Sequence, residues 1–168
     1  CLKEGGAEAV KLEGGQPMAE TIQRITAVGI PVMGHVGLTP QSVHKLGGYK
    51  LQAKDSAGQD RLLEDARKLE DAGCFSIVLE KVPAEVAAKV TGSLEIPTIG
   101  IGAGPGCDGQ VLVLHDMLGA FDKPPFRFVK RYAELAAEME RAVSDYCREV
   151  RAGDFPGEEH SFQLDADS

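Results

Sequence analysis

No run of apolar residues in this 168-residue chain approaches the ~20 needed to cross a membrane as a helix, so the sequence offers no membrane-spanning segment. Positive charge is also short. Eighteen Lys and Arg against 26 Asp and Glu leave a net charge of −8, whereas binding a phosphate backbone requires clustered cations. The most basic stretch, residues 123–131, is brief and reads as a solvated run, so nucleic acid is excluded as a partner. Cys1, Cys74, Cys107 and Cys147 show no paired spacing, which argues against a zinc site or a disulfide framework. Their scatter suits a reducing compartment. Tryptophan is absent altogether, which excludes nothing. There is no low-complexity segment and no repeat longer than one strand-helix unit.

What is present is a recurring local grammar. Short apolar runs end in a polar residue or glycine and are soon followed by proline, and they predict strands near residues 8–13, 30–35, 74–80 and 96–102. A fifth, near 110–115, follows almost directly on the fourth. Between them lie helical patterns. Leu62, Leu63, Ala66 and Leu69 recur at helical spacing within residues 59–72, and Pro83 with Glu85 marks the start of another helix. A long helix is predicted over residues 129–150, with Tyr132, Leu135, Ala136, Met139, Val143 and Tyr146 on one stripe. The acidic tail, 151–168, reads as loop. Apolar strands alternating with helices predict an α/β fold with a parallel sheet, here as a single domain over residues 1–168. With 43% hydrophobic residues the chain can bury one substantial core.

Polar residues at the strand exits carry the chemistry. Lys11 and Glu13 lie two apart on a strand, so they share a face. An ammonium beside a carboxylate at such an exit is either a solvated ion pair or part of a site, since α/β enzymes keep their chemistry at the C-terminal ends of strands. His35, flanked by Gly34 and Gly37, is either a hydrogen-bonded turn residue or a proton carrier. Glu80 ends the run Ile77-Val-Leu79. Burying an unpaired carboxylate is costly, and desolvation is how a carboxyl group becomes a usable base. The competing reading pairs Glu80 with Lys81 or makes it a cap for the next helix. Gly104, Gly106 and Gly109 match a G-x-G-x-x-G spacing. A strand follows them, however, so the helix N-terminus that cradles a phosphate is missing, and a close approach of backbone to a ligand or a neighbouring strand is expected instead. His115 and Asp116, placed at the last strand's exit, read as holding a loop or as a metal pair.

Taken together, Val10-Lys-Leu-Glu-Gly-Gly15, Gly34-His-Val-Gly-Leu-Thr-Pro-Gln-Ser42, Gly47-Gly-Tyr-Lys50, Val78-Leu-Glu80, Ile99-Gly-Ile-Gly-Ala-Gly104, Gly109-Gln-Val-Leu-Val-Leu-His-Asp116 and Phe155-Pro-Gly-Glu-Glu-His-Ser161 resemble the ketopantoate hydroxymethyltransferase family. The resemblance is collinear over nearly the whole chain. It implies the (βα)8 TIM barrel of the phosphoenolpyruvate mutase and isocitrate lyase type. It also implies transfer of a hydroxymethyl group from 5,10-methylenetetrahydrofolate to 3-methyl-2-oxobutanoate. The product, 2-dehydropantoate, would form through an enolate stabilised by Mg²⁺. By position, the resemblance makes Glu80 the catalytic base, Lys11 and His35 substrate-binding residues, and Glu13 part of the magnesium site. Where the family usually has Cys after that glutamate, this chain has Lys81.

Five strands against the eight of a closed barrel predict the last five βα units plus a C-terminal helix, with the family's two early aspartates lying upstream. The resemblance further implies a homo-oligomer, commonly a decamer, in the cytoplasm, or in mitochondria for a eukaryotic protein. Two alternatives accompany this reading. One is a related Mg-dependent keto-acid lyase or mutase, which would not require folate. The other is a truncated, non-catalytic subunit whose C-terminal helix docks onto other subunits.

Overall fold

The structure, a computed structural model, describes residues 2–42, 51–121 and 124–163. The Gly47-Gly-Tyr-Lys50 motif and Lys123 lie outside the described residues. Two compact units divide the chain, Cys1–Val111 and Leu112–Ser168.

The first unit begins with one helical turn, α1 (Leu2–Gly5), and then alternates strands and helices. In order these are β1 (Val10–Glu13), α2 (Ala19–Ala27), β2 (Val32–Gly37), α3 (Ser56–Asp71), β3 (Ser76–Glu80), α4 (Ala84–Thr91), β4 (Thr98–Ile101) and β5 (Gly109–Gln110). All five strands pair in parallel, in the order β1-β2-β3-β4-β5. Asp55 caps α3 by accepting the Gly58 N–H at 2.7 Å. The predicted periodicity of α3 is realised: Leu62, Ala66 and Leu69 are buried. They pack with Val32 and Val36 of β2, Ile77 and Leu79 of β3, and Val86, Ala87 and Val90 of α4 into one apolar core.

Strand parity then divides the polar residues from that core. Side chains alternate faces, and in the parallel register Leu12 lies beside Gly34 and Gly34 beside Ile77 on the core side. Lys11, Glu13, His35 and Glu80 fall on the opposite face. Glu13 is register partner to His35, and His35 to Val78, two residues before Glu80.

The expected strand over residues 110–115 is corrected to Gly109–Gln110, because a strand lasts only as long as its partner. After Ile101, β4 turns away at Gly102 (φ 63°). The Val111 N–H takes the last ladder bond, to the Gly100 carbonyl at 3.0 Å. In the second unit the Val113 carbonyl accepts from the Met117 N–H at 2.9 Å, which starts a helical turn, α5 (Leu114–Met117). His115 and Asp116 therefore sit on α5, not at a strand exit. There the His115 ring lies 5.7 Å from Phe121, ring centre to ring centre.

The C-terminal helix, α6, spans Leu135–Ala152, and its expected start at 129 is also corrected. The N–H groups of Tyr132, Leu135 and Ala136 bond to the carbonyls of Met117, Leu118 and Gly119, so this backbone is committed before a helix can form. Gly153 (φ 79°) ends α6 in the left-handed conformation. Among the described residues, no helix is long and apolar enough to cross a membrane.

Candidate active site

The site forms where β1, β2 and β3 end. Lys11 and Glu13 project from the last turns of β1 pleat, His35 from β2, and Glu80 from the final position of β3. The Lys11 ammonium donates to His35 Nδ1 at 3.0 Å and lies 3.6 Å from Glu13 Oε1. Glu13 Oε1 is also 3.6 Å from His35 Nδ1. On the far side of the ring, Nε2 stands 3.3 Å from Glu80 Oε2. Four residues spread over 70 positions of the chain thus form one polar cluster across three strands.

The hydrogen bond from Lys11 assigns the histidine tautomer. An ammonium only donates, so Nδ1 is an acceptor and a neutral ring carries its proton on Nε2. That N–H points toward Glu80 but makes no aligned hydrogen bond, and Nε2 is buried without a partner. An unsatisfied buried donor beside a carboxylate is a place for a ligand oxygen. Exposure grades across the cluster: the side chains are 44% exposed at Lys11, 15% at Glu80, 10% at Glu13 and 3% at His35. A ligand entering from solvent can reach the ammonium and both carboxylates, while the imidazole is fixed in place between them.

Backbone groups around these residues hold this arrangement. Glu13 Oε2 accepts the backbone N–H of Gln41 at 3.0 Å, from the 3₁₀ turn Pro40–Ser42 that follows β2. The Glu80 carbonyl accepts the Leu38 N–H at 2.9 Å. Gly37 (φ +91°) packs so tightly beneath it that a Cβ would collide with the Glu80 carbonyl oxygen and sit 2.9 Å from Val82 Cγ1. Lys81 adopts a positive φ of 48°, with its N–H bonded to the Ile101 carbonyl and its carbonyl to the Gln52 N–H, both at 2.9 Å. Only the glycine after His35 carried a local signal for any of this.

The remaining sequence motifs find other places. The glycine-rich turn 102–109 approaches α4 in its middle and, at Gly109, the neighbouring strand β4, where a Cβ would sit 2.9 Å from Ile99 Cδ1. A Cβ on Gly104 would collide with Ala84, and one on Gly106 would sit 2.8 Å from the Ala88 Cβ. Asp108 closes that turn, accepting the Thr98 N–H at 2.8 Å and its hydroxyl at 3.1 Å. These bonds hold its carboxyl below the ordinary value. Cys74 is buried, and desolvation pushes its thiol up to about 11, which leaves it unreactive. An open cleft of about 450 Å³, lined in part by Gln52, Arg61 and Asp65, lies beside Gly37 at the end of β2.

Magnesium prefers hard oxygen ligands and needs only one or two protein carboxylates, with waters and substrate oxygens completing its shell. Two carboxylates and one ammonium around a neutral imidazole leave the site net negative, and Glu13 provides a suitable oxygen. No group of three His, Cys, Asp or Glu able to hold a metal occurs among the described residues. Of the four residues, Glu13 would supply one carboxylate ligand to such an ion.

A family model described as ketopantoate hydroxymethyltransferase matches residues 1–158. The 3-methyl-2-oxobutanoate hydroxymethyltransferase of Trichlorobacter lovleyi is 61% identical over 162 residues, covering 96% of this chain and 60% of the relative. That of Carboxydothermus hydrogenoformans is 58% identical, over 97% of this chain and 59% of the relative. That of Anaeromyxobacter dehalogenans is 60% identical, over 96% and 53%. The chain thus spans little more than half the length of these relatives.

Proposed function

Because this chain belongs to the ketopantoate hydroxymethyltransferase family, we propose that it carries the base and the keto-acid contacts of an enzyme that moves a hydroxymethyl group from 5,10-methylenetetrahydrofolate to 3-methyl-2-oxobutanoate, giving 2-dehydropantoate. The observation that supports this most is the cluster of Glu13, Lys11, His35 and Glu80 at adjacent strand exits.

Each residue has a task that follows from its chemistry. The reaction removes a proton from the carbon next to a ketone, and the partly exposed Glu80 carboxylate is the group placed to take it. A positioned base of this kind contributes about 10²–10⁴-fold. Negative charge then moves to the ketone oxygen, where the Lys11 ammonium and the His35 Nε2–H stand ready as donors that need no rearrangement. Glu13 orients Lys11 and would hold magnesium, which when bound supplies Lewis-acid polarisation of the keto group. The nucleophilic carbon finally bonds to the one-carbon unit, water supplies the hydroxyl oxygen, and both carbon–nitrogen bonds to the folate break, releasing tetrahydrofolate.

The same reading extends the sheet. Strand order follows chain order without the reversal that marks doubly wound folds, and parallel units added always on the same side curl toward a barrel. We read these strands as an arc of the (βα)8 barrel of the phosphoenolpyruvate mutase and isocitrate lyase type. The free thiols of Cys74, Cys107 and Cys147 suit a reducing compartment such as the cytoplasm.

The test uses the full-length enzyme without folate. Exchange of the C3 proton of 3-methyl-2-oxobutanoate for deuterium, followed by NMR, is expected to fall about 10²–10⁴-fold in Glu80→Gln. Unchanged exchange in that variant would remove Glu80 as the base. Product formation without any folate would favour a lyase or mutase instead.

A further inference from the structure

The turn that follows Lys11 and Glu13 is held from a distance. Asp65, half-buried on α3 and 49 residues away in sequence, accepts the Gln16 N–H through Oδ1 at 2.7 Å. Its carboxylate occupies the space in which a side chain of Gly15 would lie, since a Cβ there would collide with all three carboxylate atoms. Gly15 lies at φ −90° and ψ −135°, outside the regions that L side chains favour, so its backbone conformation and the Asp65 carboxylate together favour glycine at this position. One residue earlier, the Gly14 N–H bonds to the His35 carbonyl at 2.9 Å. Asp65 itself is anchored by its helix, whose neighbouring Ala66 and nearby Leu62 and Leu69 are buried in the core.

We propose that Asp65 is a positioning residue, a latch from α3 onto the turn Gly15-Gln16 that sets where Lys11 and Glu13 meet the keto acid. The inference rests on the roles given to those two residues above. Gln16 is three residues from Glu13. If the turn shifts, Glu13 leaves the Gln41 N–H and Lys11 leaves His35 Nδ1. Glu80 is held separately, by Leu38 and by the Lys81–Ile101 bond, and none of those contacts involves Asp65. Loss of the latch therefore weakens substrate binding while sparing the base.

The experiment is a mutant cycle in the full-length enzyme. Asp65→Ala is expected to raise the KM for the keto acid about tenfold or more, as befits a lost charge-assisted hydrogen bond, and to lower kcat as well, because Lys11 and the His35 Nε2–H also serve the developing oxyanion. Asp65→Asn, which keeps an acceptor oxygen, is expected to recover most of that loss. Gly15→Ala alone is expected to do the same damage from the other side, and to add less than that in the Asp65→Ala background, where the space is vacant and only the backbone strain remains. Histidine ring ¹⁵N shifts give a readout independent of turnover: a single Nε2–H tautomer for His35 in wild type, and a mixture in Asp65→Ala.

A lowered melting temperature with unchanged KM and an unchanged His35 tautomer would overturn the proposal, leaving Asp65 a purely structural cap. Should Asp65→Ala not fold, an unchanged KM in Gly15→Ala overturns it equally. A wild-type enzyme without transfer activity would sink the functional reading instead, and the histidine signals would still decide the latch.

Discussion

Gly37 shows how much of this site depends on a side chain that is not there. Its positive φ favours glycine over any other residue, and the missing Cβ lets the Glu80 carbonyl settle directly against it. Gly37→Ala is expected to cost about 1–3 kcal/mol, from left-handed strain and a backbone collision. By moving Glu80, it should also lower kcat by roughly 10²-fold. Thermal melts and steady-state kinetics on the same preparation check both, and a stable variant with unaltered kcat would show that the Glu80 backbone tolerates the shift. At this scale the candidate site was legible in the sequence. Lys11, Glu13, His35 and Glu80 stood out as polar groups at the ends of apolar runs, and the structure brings all four together. Asp65 and the backbone donor of Gln41 were invisible, because a carboxylate on an amphipathic helix and a backbone N–H look like any others until the chain folds.

Among the elements, the strands and the middle helices followed from pattern, whereas the fifth strand and the start of the last helix did not. The alternation in residues 110–115 is a genuine strand pattern, but β4 supplies only enough backbone to pair Gly109, Gln110 and the Val111 N–H. The glycine-rich turn between those strands is held by Asp108. Hydrogen bonds from the Thr98 N–H and hydroxyl lower its carboxyl pKa in the folded state, so the ionised form is the stabilising one. Its contribution is present above the unfolded value of about 3.9 and is lost as pH falls through the lower folded value. Asp108→Asn is expected to melt below wild type at pH 7, with the gap closing in strongly acid solution. A gap that stays constant with pH would mean that the charge plays no part.

At the scale of the whole molecule, the chain covers about three-fifths of relatives such as that of T. lovleyi, and the contacts that bring Glu13, Lys11, His35 and Glu80 together all lie within the first unit. The 168 residues expressed alone are therefore expected to form the Lys11–His35 contact yet turn over at least roughly 10²-fold more slowly than a full-length relative, because one carboxylate leaves magnesium and keto acid loosely placed. Side-by-side assays of folate-dependent product formation check this, and comparable rates would mean that the residues present suffice. Along α6, Met139, Val143, Tyr146 and Val150 are each about half exposed, more than the core-facing stripe of a packed surface helix ordinarily leaves to water.

Residue order alone marked the polar groups at the strand exits and which face of each strand they share, because side-chain identity and the two-residue period of a strand are local properties. It settled the parallel α/β class for the same reason, through apolar runs that alternate with helical spacing. Tertiary structure decided where β5 stops, where α6 begins, why Gly15 and Gly37 must be glycine, and which nitrogen of His35 holds the proton. Each of those depends on competition for one hydrogen-bond partner or one pocket of space between segments far apart in the chain, and no window of sequence contains both competitors.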